Sequence, residues 1–273
     1  MAVKAGDIRA VEIRPGVGTL GMFKYMDYTP WYAIGEFVDN SVASWQQHAK
    51  ALARADGGEH TLQISIKLDP KDGGELTVWD NAAGISAADY LRAFKPAERP
   101  PDQSYLSRYG MGMKTAACWF SDHWRVTSTA LGEPVERTVE FDIPELIKLG
   151  RESITPVSRT APPNDHWTEL ALWELNQIPV KRSVGKIKDY LSQMYRRFLS
   201  NGDVSIFWND EPLQYKQRPV LVAPHYKDGE HGKKHRWEKE LDFTLPKGEH
   251  VTGRALIFEK GVKRPGSGGG SGY

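Results

Sequence analysis

The stretch that decides the fold is residues 29–45, which read TPWYAIGEFVDNSVASW. Thr29 is a favoured residue just before a helix, and Pro30 suits the first helical position. From there apolar residues recur at helical spacing, at Ile34, Phe37, Val38 and Ala43. This periodicity predicts an amphipathic helix with one face packed against a sheet.

The same helix carries polar residues three and four positions apart, Glu36, Asp39 and Asn40. Glu36 and Asn40 are one turn apart, so they project from the same side of the helix. A carboxylate there can polarise a water molecule, and a carboxamide oxygen can hold a metal ion. A solvated helix face has the same pattern, so this motif alone leaves both interpretations open.

Composition excludes several classes of protein. The 273 residues carry a net charge of +1 with acidic and basic residues interleaved, which is not typical of a nucleic-acid-binding stripe or a disordered acidic tail. The single cysteine, Cys118, excludes a disulfide scaffold and a cysteine-ligated zinc site. No apolar run approaches the roughly 20 residues needed to span a membrane, and no signal-peptide pattern is present. We therefore expect a soluble cytoplasmic protein with no membrane partner.

A second motif follows a predicted hairpin. Residues 61–68 alternate between apolar and polar, and residues 75–80 form the expected antiparallel partner after a Gly-rich turn. The hairpin ends at Asp80, and Gly84 follows four residues later. A carboxylate at a strand end, followed by small residues, is suited to the mouth of a pocket for a flat ligand. A plain turn capped by Asp80 is the open alternative.

A third motif, YGMGMKTAA at 109–117, follows a predicted short helix at 86–94 and a polar, proline-rich segment typical of a mobile lid. Glycines just before a helix expose backbone N–H groups where phosphates bind, and Lys114 and Thr115 can add contacts. A tight helix entry is the alternative for this motif taken alone.

The rest of the chain predicts a mixture of strands and helices, hence an α+β fold with helices on one face of a mixed or antiparallel sheet. Strands are expected at 124–130, 135–142, 167–175, 203–209, 237–245 and 251–260, and helices at 143–150 and 183–200. The histidines around the polar loop 226–236 lack the spacing of a metal site, so we interpret the loop as solvated.

The three motifs in this order resemble the Bergerat (GHKL) ATP-binding fold of type II topoisomerases, MutL, heat-shock chaperones, histidine kinases and MORC ATPases. The resemblance covers about residues 25–175. The stretches EFVDNSVAS and RYGMGMKTA look most like MORC-type and related bacterial ATPases. A Bergerat α/β sandwich followed by a smaller α/β domain of the transducer (S5-like) type is the fold that this resemblance implies.

The resemblance also implies roles for individual residues, with ATP and Mg²⁺ as cofactors. Glu36 would be the general base and Asn40 the Mg²⁺ ligand, while Asp80 would accept the adenine amino group beside Gly84 and Thr168. The phosphates would lie in the loop formed by Gly110, Met111, Gly112, Met113, Lys114 and Thr115. The sequence departs from the family pattern at Ala82 and Trp167, where glycine is common, and at Ala43, where relatives often carry an acidic residue.

The resemblance implies an ATPase whose nucleotide-bound state is a homodimer and drives a larger machine, with DNA as a partner on family grounds alone. A non-hydrolysing nucleotide sensor or scaffold is the alternative function. We expect an ATP-binding domain at 1–178 with its lid at about 86–113, a transducer-like domain at 179–264 and a flexible Gly/Ser tail at 265–273. The transducer lysine that reaches the γ-phosphate is not placed: Lys260 and Lys263 are near the end of the sequence, but the helix expected with that lysine's loop is not recognised there. We expect the lysine to lie beyond this sequence and hydrolysis to be slow.

Overall fold

The computed structural model describes residues 16–95, 111–217, 219–229 and 231–259. The chain forms two compact units, Met1–Leu213 and Gln214–Tyr273. Most of the predicted lid, together with Gly110, Lys260, Lys263 and the Gly/Ser tail, lies outside the described residues. None of the helices in the described ranges is long and apolar enough to cross a membrane.

The first unit is built on one eight-stranded mixed sheet. Its strands are β1 (Leu62–Asp69), β2 (Glu75–Asp80), β3 (Ser121–Thr129), β4 (Val135–Asp142), β5 (Val157–Thr160), β6 (Trp167–Leu175), β7 (Val204–Trp208) and β8 (Glu211–Pro212). They lie in the order β5-β4-β3-β6-β2-β1-β7-β8. The β1–β7 pair is parallel, and the other neighbouring strands are antiparallel. The predicted α+β class is confirmed.

Six α-helices and one 3₁₀-helix accompany the sheet in the described part of this unit. They are the 3₁₀-helix Val17–Tyr25, α1 (Pro30–Ala55), α2 (Ala87–Phe94), α3 (Gly112–Phe120), α4 (Ile143–Leu149), α5 (Lys181–Met194) and α6 (Arg196–Asn201). Helix α1 contacts both α3 and α5. Leu20 and Phe23 are buried where the 3₁₀-helix packs on α3.

The core of the unit follows from the sequence pattern. Alternate residues of β1, from Leu62 to Leu68, are buried, whereas Gln63 and Lys67 between them are exposed. The apolar stripe of α1, which includes Ile34 and Val38, belongs to the same buried cluster. One face of the sheet therefore packs against helices, as the period of two in β1 and the helical period in α1 require.

The first unit extends beyond the boundary predicted at residue 178. Strand β7 pairs with β1, with Ile64 opposite Ile206, and α5 buries Ile187 and Leu191 completely in the same core. The single helix predicted over 183–200 is divided at Tyr195, whose backbone leaves the α-helical region. The helix and strand expected to open a second domain therefore lie in the first unit.

The second unit contains only strands among its described residues. These are β9 (Val222–Pro224), β10 (Lys234–Arg236), β11 (Glu238–Thr244) and β12 (His250–Leu256). They form two separate two-stranded antiparallel sheets, β9 with β10 and β11 with β12. The expected α/β composition is not found in the described part of this unit.

Candidate nucleotide site

A cavity of about 200 Å³ in the first unit is lined by residues from all three sequence motifs. Its walls come from α1, the end of β2 and the turn after it, α2, the start of α3, and β6. The predicted site residues among its lining are Asn40, Asp80, Gly84, Gly112, Met113, Lys114 and Thr168. The fold thus brings together predicted residues that are up to 128 positions apart in the sequence, since Asn40 and Thr168 both line the cavity.

Asp80 ends β2 as a buried carboxylate, only 7% exposed. The Ser41 hydroxyl of α1 donates to its Oδ2 at 2.7 Å, and the Ala82 N–H donates to its Oδ1 at 2.9 Å. Burial nevertheless dominates and raises the pKa of Asp80 to about 6, although these two donors and nearby His166 act in the opposite direction. The result is a buried carboxylate that acts as a strong hydrogen-bond acceptor.

Thr168 lies directly opposite Asp80 in the β2–β6 pairing, as expected from its predicted place beside that aspartate. Its hydroxyl is 3.0 Å from the Ser128 hydroxyl, and Ser128 in turn donates to the Trp167 carbonyl at 3.0 Å. The Ile85 N–H, in the turn after Asp80, donates to Ser128 at 2.9 Å. Ser128, on β3, therefore links β6 to the turn that carries Gly84.

Gly84 is required by the backbone at this point. Its φ is +73°, and a Cβ there would overlap the Thr129 carbonyl and the Ala130 Cα of the neighbouring chain segment. Because of both constraints, any other residue at this position would be costly. Ala82, which departs from the family pattern, has a φ outside the left-handed region and is buried, so alanine fits this turn.

Glu36 lies against the first residue of α3. A Cβ on Gly112 would overlap the Glu36 carboxylate, so the glycine makes room for it. The Tyr28 hydroxyl donates to Glu36 Oε1 at 3.3 Å. Burial and then the nearby charge of Asp39 raise the pKa of Glu36, and the Tyr28 hydrogen bond opposes this. A carboxylate with a raised pKa is a stronger base. The Glu36 carboxylate also lies beside the N-terminus of α3.

Asn40 lines the cavity one turn beyond Glu36. Its amide nitrogen donates to the Glu36 backbone carbonyl at 2.7 Å, so the oxygen is the atom with which this side chain accepts or ligates. Asp39, in contrast, accepts a 2.6 Å hydrogen bond from Tyr195, at the junction of α5 and α6. Of the three polar residues, only Asn40 lines the cavity; Glu36 is not among the lining residues and lies against Gly112, which is, and Asp39 bonds to the α5–α6 junction.

Lys114 is buried in the first turn of α3 and lines the cavity. Its ammonium donates to the Ala93 carbonyl at 2.8 Å, near the C-terminal end of α2. Met111 precedes α3 as its N-cap and Thr115 is buried, with no hydrogen-bond partner for its hydroxyl among the described residues. Neither is among the residues that line the cavity, and Gly110 lies outside the described residues.

Three polar residues near the site were missed by the sequence reasoning, Ser41, Ser128 and His166. The burial of Ser41 could have been predicted, because it follows Phe37 by four residues and so lies on the buried side of α1. Ser128 lies within an apparently ordinary strand, and His166 contacts the turn after Asp80 from 85 positions away. No local pattern marks these two.

Residues 28–161 match the family described as histidine kinase-, DNA gyrase B-, and HSP90-like ATPase. With the mixed sheet and its helices, the match supports a Bergerat-type α/β fold for the first unit and its assignment to the GHKL superfamily. It also supports nucleotide binding. No significantly similar sequence is found among curated proteins.

Proposed function

We propose that the first unit binds Mg-ATP and hydrolyses it, with Glu36 as the general base. The observation that carries the proposal is the position of the Glu36 carboxylate directly beside Gly112, where α3 begins. Phosphates bind at helix N-termini, so a γ-phosphate at α3 would lie beside this carboxylate. Burial also raises the pKa of this carboxylate, which makes it a stronger base.

The two ends of the cavity suit the two ends of ATP. At one end Asp80, a buried acceptor beside Thr168, is suited to the exocyclic amino group of adenine. At the other end the N–H groups of Gly112 and Met113 belong to the first turn of α3, ahead of Thr115, whose N–H donates to the Met111 carbonyl. These N–H groups are suited to phosphate oxygens.

In the reaction, Glu36 accepts a proton from the attacking water as the water oxygen bonds to the γ-phosphorus. The bond from that phosphorus to the β,γ-bridging oxygen breaks, and ADP and inorganic phosphate are released. Asn40 fits a Mg²⁺ ligand, because its amide nitrogen is engaged by the Glu36 carbonyl and its oxygen is left to coordinate a hard cation. Mg²⁺ bound there would offset the negative charge of the phosphates.

We further propose that nucleotide binding rearranges the predicted lid at about 86–113 and promotes homodimerisation. Lys114, which directly follows the predicted lid, donates to the carbonyl of Ala93, which lies in the helix α2 at the start of the lid. A phosphate that attracts the ammonium would weaken this link and release α2. Light scattering with and without AMPPNP tests dimerisation, and a constant molar mass would refute it.

Calorimetry with ATP and AMPPNP, together with phosphate release, tests the hydrolase proposal. Glu36→Gln should retain nucleotide affinity within about threefold and lose about 10²- to 10⁴-fold in kcat, since only the proton acceptor is removed. Glu140→Gln, which changes an exposed carboxylate on β4, is the matched control and should leave both constants unchanged. Undiminished turnover by Glu36→Gln would refute the role of Glu36.

The same experiment separates the hydrolase from the alternative function. If the wild type binds ATP but releases no phosphate, the nucleotide-sensor function gains support, and so does the expectation that turnover needs the transducer lysine. If the wild type binds neither nucleotide, both proposals are wrong.

A further inference from the structure

A second cluster of side chains in the first unit lies outside the nucleotide cavity. Asp56, His60 and His166 each offer one potential metal-ligand atom, and these atoms lie within 4.8 Å of one another. Asp56 is the C-cap of α1, His60 lies between α1 and β1, and His166 directly precedes β6. The described residues contain no other group of three such ligands.

The hydrogen bonds of His166 indicate which of its ring nitrogens carries a proton. Its Nδ1 is 3.0 Å from the Asn81 carbonyl and 2.9 Å from the Ala82 carbonyl. Carbonyls only accept hydrogen bonds, so Nδ1 carries a proton, and when the ring is neutral Nε2 has a lone pair. That Nε2 is 3.7 Å from Asp56 Oδ1. A lone pair facing a carboxylate oxygen requires a positive species between them.

The His60 ring is also held through its Nδ1. Its Nδ1 is 2.5 Å from Asp56 Oδ2, so this nitrogen donates to the carboxylate. The side chain is only 4% exposed, and its Nε2 has no hydrogen-bond partner among the described residues. A buried ring nitrogen without a partner is costly. In the neutral ring this Nε2 has a lone pair that no described protein group engages.

The distances are compatible with a bound ion. Zinc–ligand bonds of 2.0–2.2 Å in a tetrahedral site separate the ligand atoms by about 3.3 Å. The 3.7 Å between His166 and Asp56 exceeds this by only about 0.4 Å, and the 4.8 Å limit of the whole group requires a closure of about 1.5 Å by side-chain rotation. The cluster also lies at the C-terminal end of the 26-residue helix α1, where the helix dipole favours a cation.

We propose that Asp56, His60 and His166 form a binding site for a divalent transition-metal ion such as Zn²⁺. Two neutral imidazoles and one carboxylate form a ligand set typical of zinc, with a fourth position left for water. The carbonyls of Asn81 and Ala82 orient His166 from behind, as outer-shell groups do in known metal sites. The ion would thereby hold the turn that follows Asp80. Metal binding itself does not depend on the proposed ATPase activity.

The test uses the full chain without a histidine tag, freed of metal by chelation and studied without nucleotide. Titration with Zn²⁺ by calorimetry, and with Co²⁺ by visible absorption, should give one site per chain with a tetrahedral Co²⁺ spectrum. His60→Gln and His166→Gln should each weaken this site at least about 10-fold. Asp56→Asn, at a side chain that is 41% exposed, provides a third variant with little risk to folding.

His123→Gln is the matched control, because His123 also lies near two carboxylates, Asp142 at 3.8 Å and Glu174 at 3.5 Å, but belongs to no three-ligand group among the described residues. This variant should bind Zn²⁺ as the wild type does. If Zn²⁺ does not bind the wild type, the positive species between His166 and Asp56 is a proton and the proposal is wrong. Binding that is unchanged in Asp56→Asn and in both histidine variants would place the ion elsewhere and also refute it.

Discussion

Replacing Asp80 with asparagine should make the first unit more stable while it abolishes nucleotide binding. The carboxylate is buried at the end of β2, and burial raises its pKa from 3.8 to about 6. The folded protein therefore ionises Asp80 at a cost in free energy. Asparagine has nearly the same shape and carries no charge, so the substitution removes that cost.

The size of the effect follows from the pKa. A shift from 3.8 to about 6 corresponds to about 3 kcal/mol at a pH above both values. The hydrogen bond from Ser41 to a charged acceptor is weakened in the variant, which offsets about 1–2 kcal/mol. We therefore expect Asp80→Asn to raise the free energy of unfolding by about 1–2 kcal/mol at pH 7.5.

The pH dependence has a definite sign. Between pH 3.8 and about 6 the folded protein retains a proton on Asp80 that the unfolded chain releases. The free energy of unfolding contributed by this group therefore falls as the pH rises through that window, and it is constant above it. The variant lacks this decrease, so its advantage should be near zero at about pH 4 and complete above about pH 7.

Nucleotide binding should change in the opposite direction. In Asp80→Asn the side-chain oxygen is held by the Ala82 N–H, and the amide nitrogen occupies the place of the second carboxylate oxygen. A donor then meets the donor amino group of adenine, and we expect a loss of at least about 100-fold in affinity.

Urea unfolding at several pH values, followed by circular dichroism, measures the stability, and calorimetry measures ATP affinity. Glu75→Gln, at the exposed first residue of the same strand, is the control and should change neither. The reasoning is refuted if Asp80→Asn is less stable than the wild type at pH 7.5, or if the difference between the two proteins is independent of pH.

Three further predictions concern single contacts. Gly84→Ala should destabilise the first unit by about 3 kcal/mol or more in urea unfolding, because its Cβ meets the backbone of Thr129; Gly132→Ala, also at positive φ but with open space around it, should cost only about 1–2 kcal/mol. Gly112→Ala should displace the Glu36 carboxylate and lower kcat about as much as Glu36→Gln does, while unfolding changes by less than about 1 kcal/mol; normal turnover would contradict the contact. Tyr195→Phe removes the 2.6 Å hydrogen bond to Asp39 and should cost about 1.5–3 kcal/mol in unfolding, whereas Tyr25→Phe, at a ring that is 75% exposed, should cost almost nothing.

Local periodicity predicted the elements of the first unit well. The alternation in residues 61–68 and the turn after it were sufficient to place Asp80 at the end of a hairpin, opposite Ile64. The helix predicted from Thr29 and Pro30 begins at Pro30. The expected role of Thr29 as an N-cap is not seen, because its hydroxyl makes no capping hydrogen bond and has no partner among the described residues. Proline and the apolar stripe therefore determine this helix start.

Long-range pairing was not predictable in the same way. Nothing in residues 204–208 indicates that this strand pairs in parallel with β1 rather than beginning a new domain, since periodicity reports which face is buried and not which strand lies beside it. Strand β5 was missed because all four of its residues are exposed, so it lacks the alternation by which strands are recognised.

The polar residues of α1 acquire separate functions from the helical period alone. Successive side chains are about 100° apart around a helix, so neighbours in the sequence contact different parts of the molecule. Asp39 bonds to Tyr195, Asn40 lines the nucleotide cavity and Ser41 donates to Asp80. One helix thus contacts the α5–α6 junction, carries the proposed Mg²⁺ ligand Asn40 and holds the proposed adenine acceptor Asp80. Because a helix is rigid, a displacement of α1 at any of these contacts would be transmitted to the others, and this coupling gives a physical reason for the compactness of the motif.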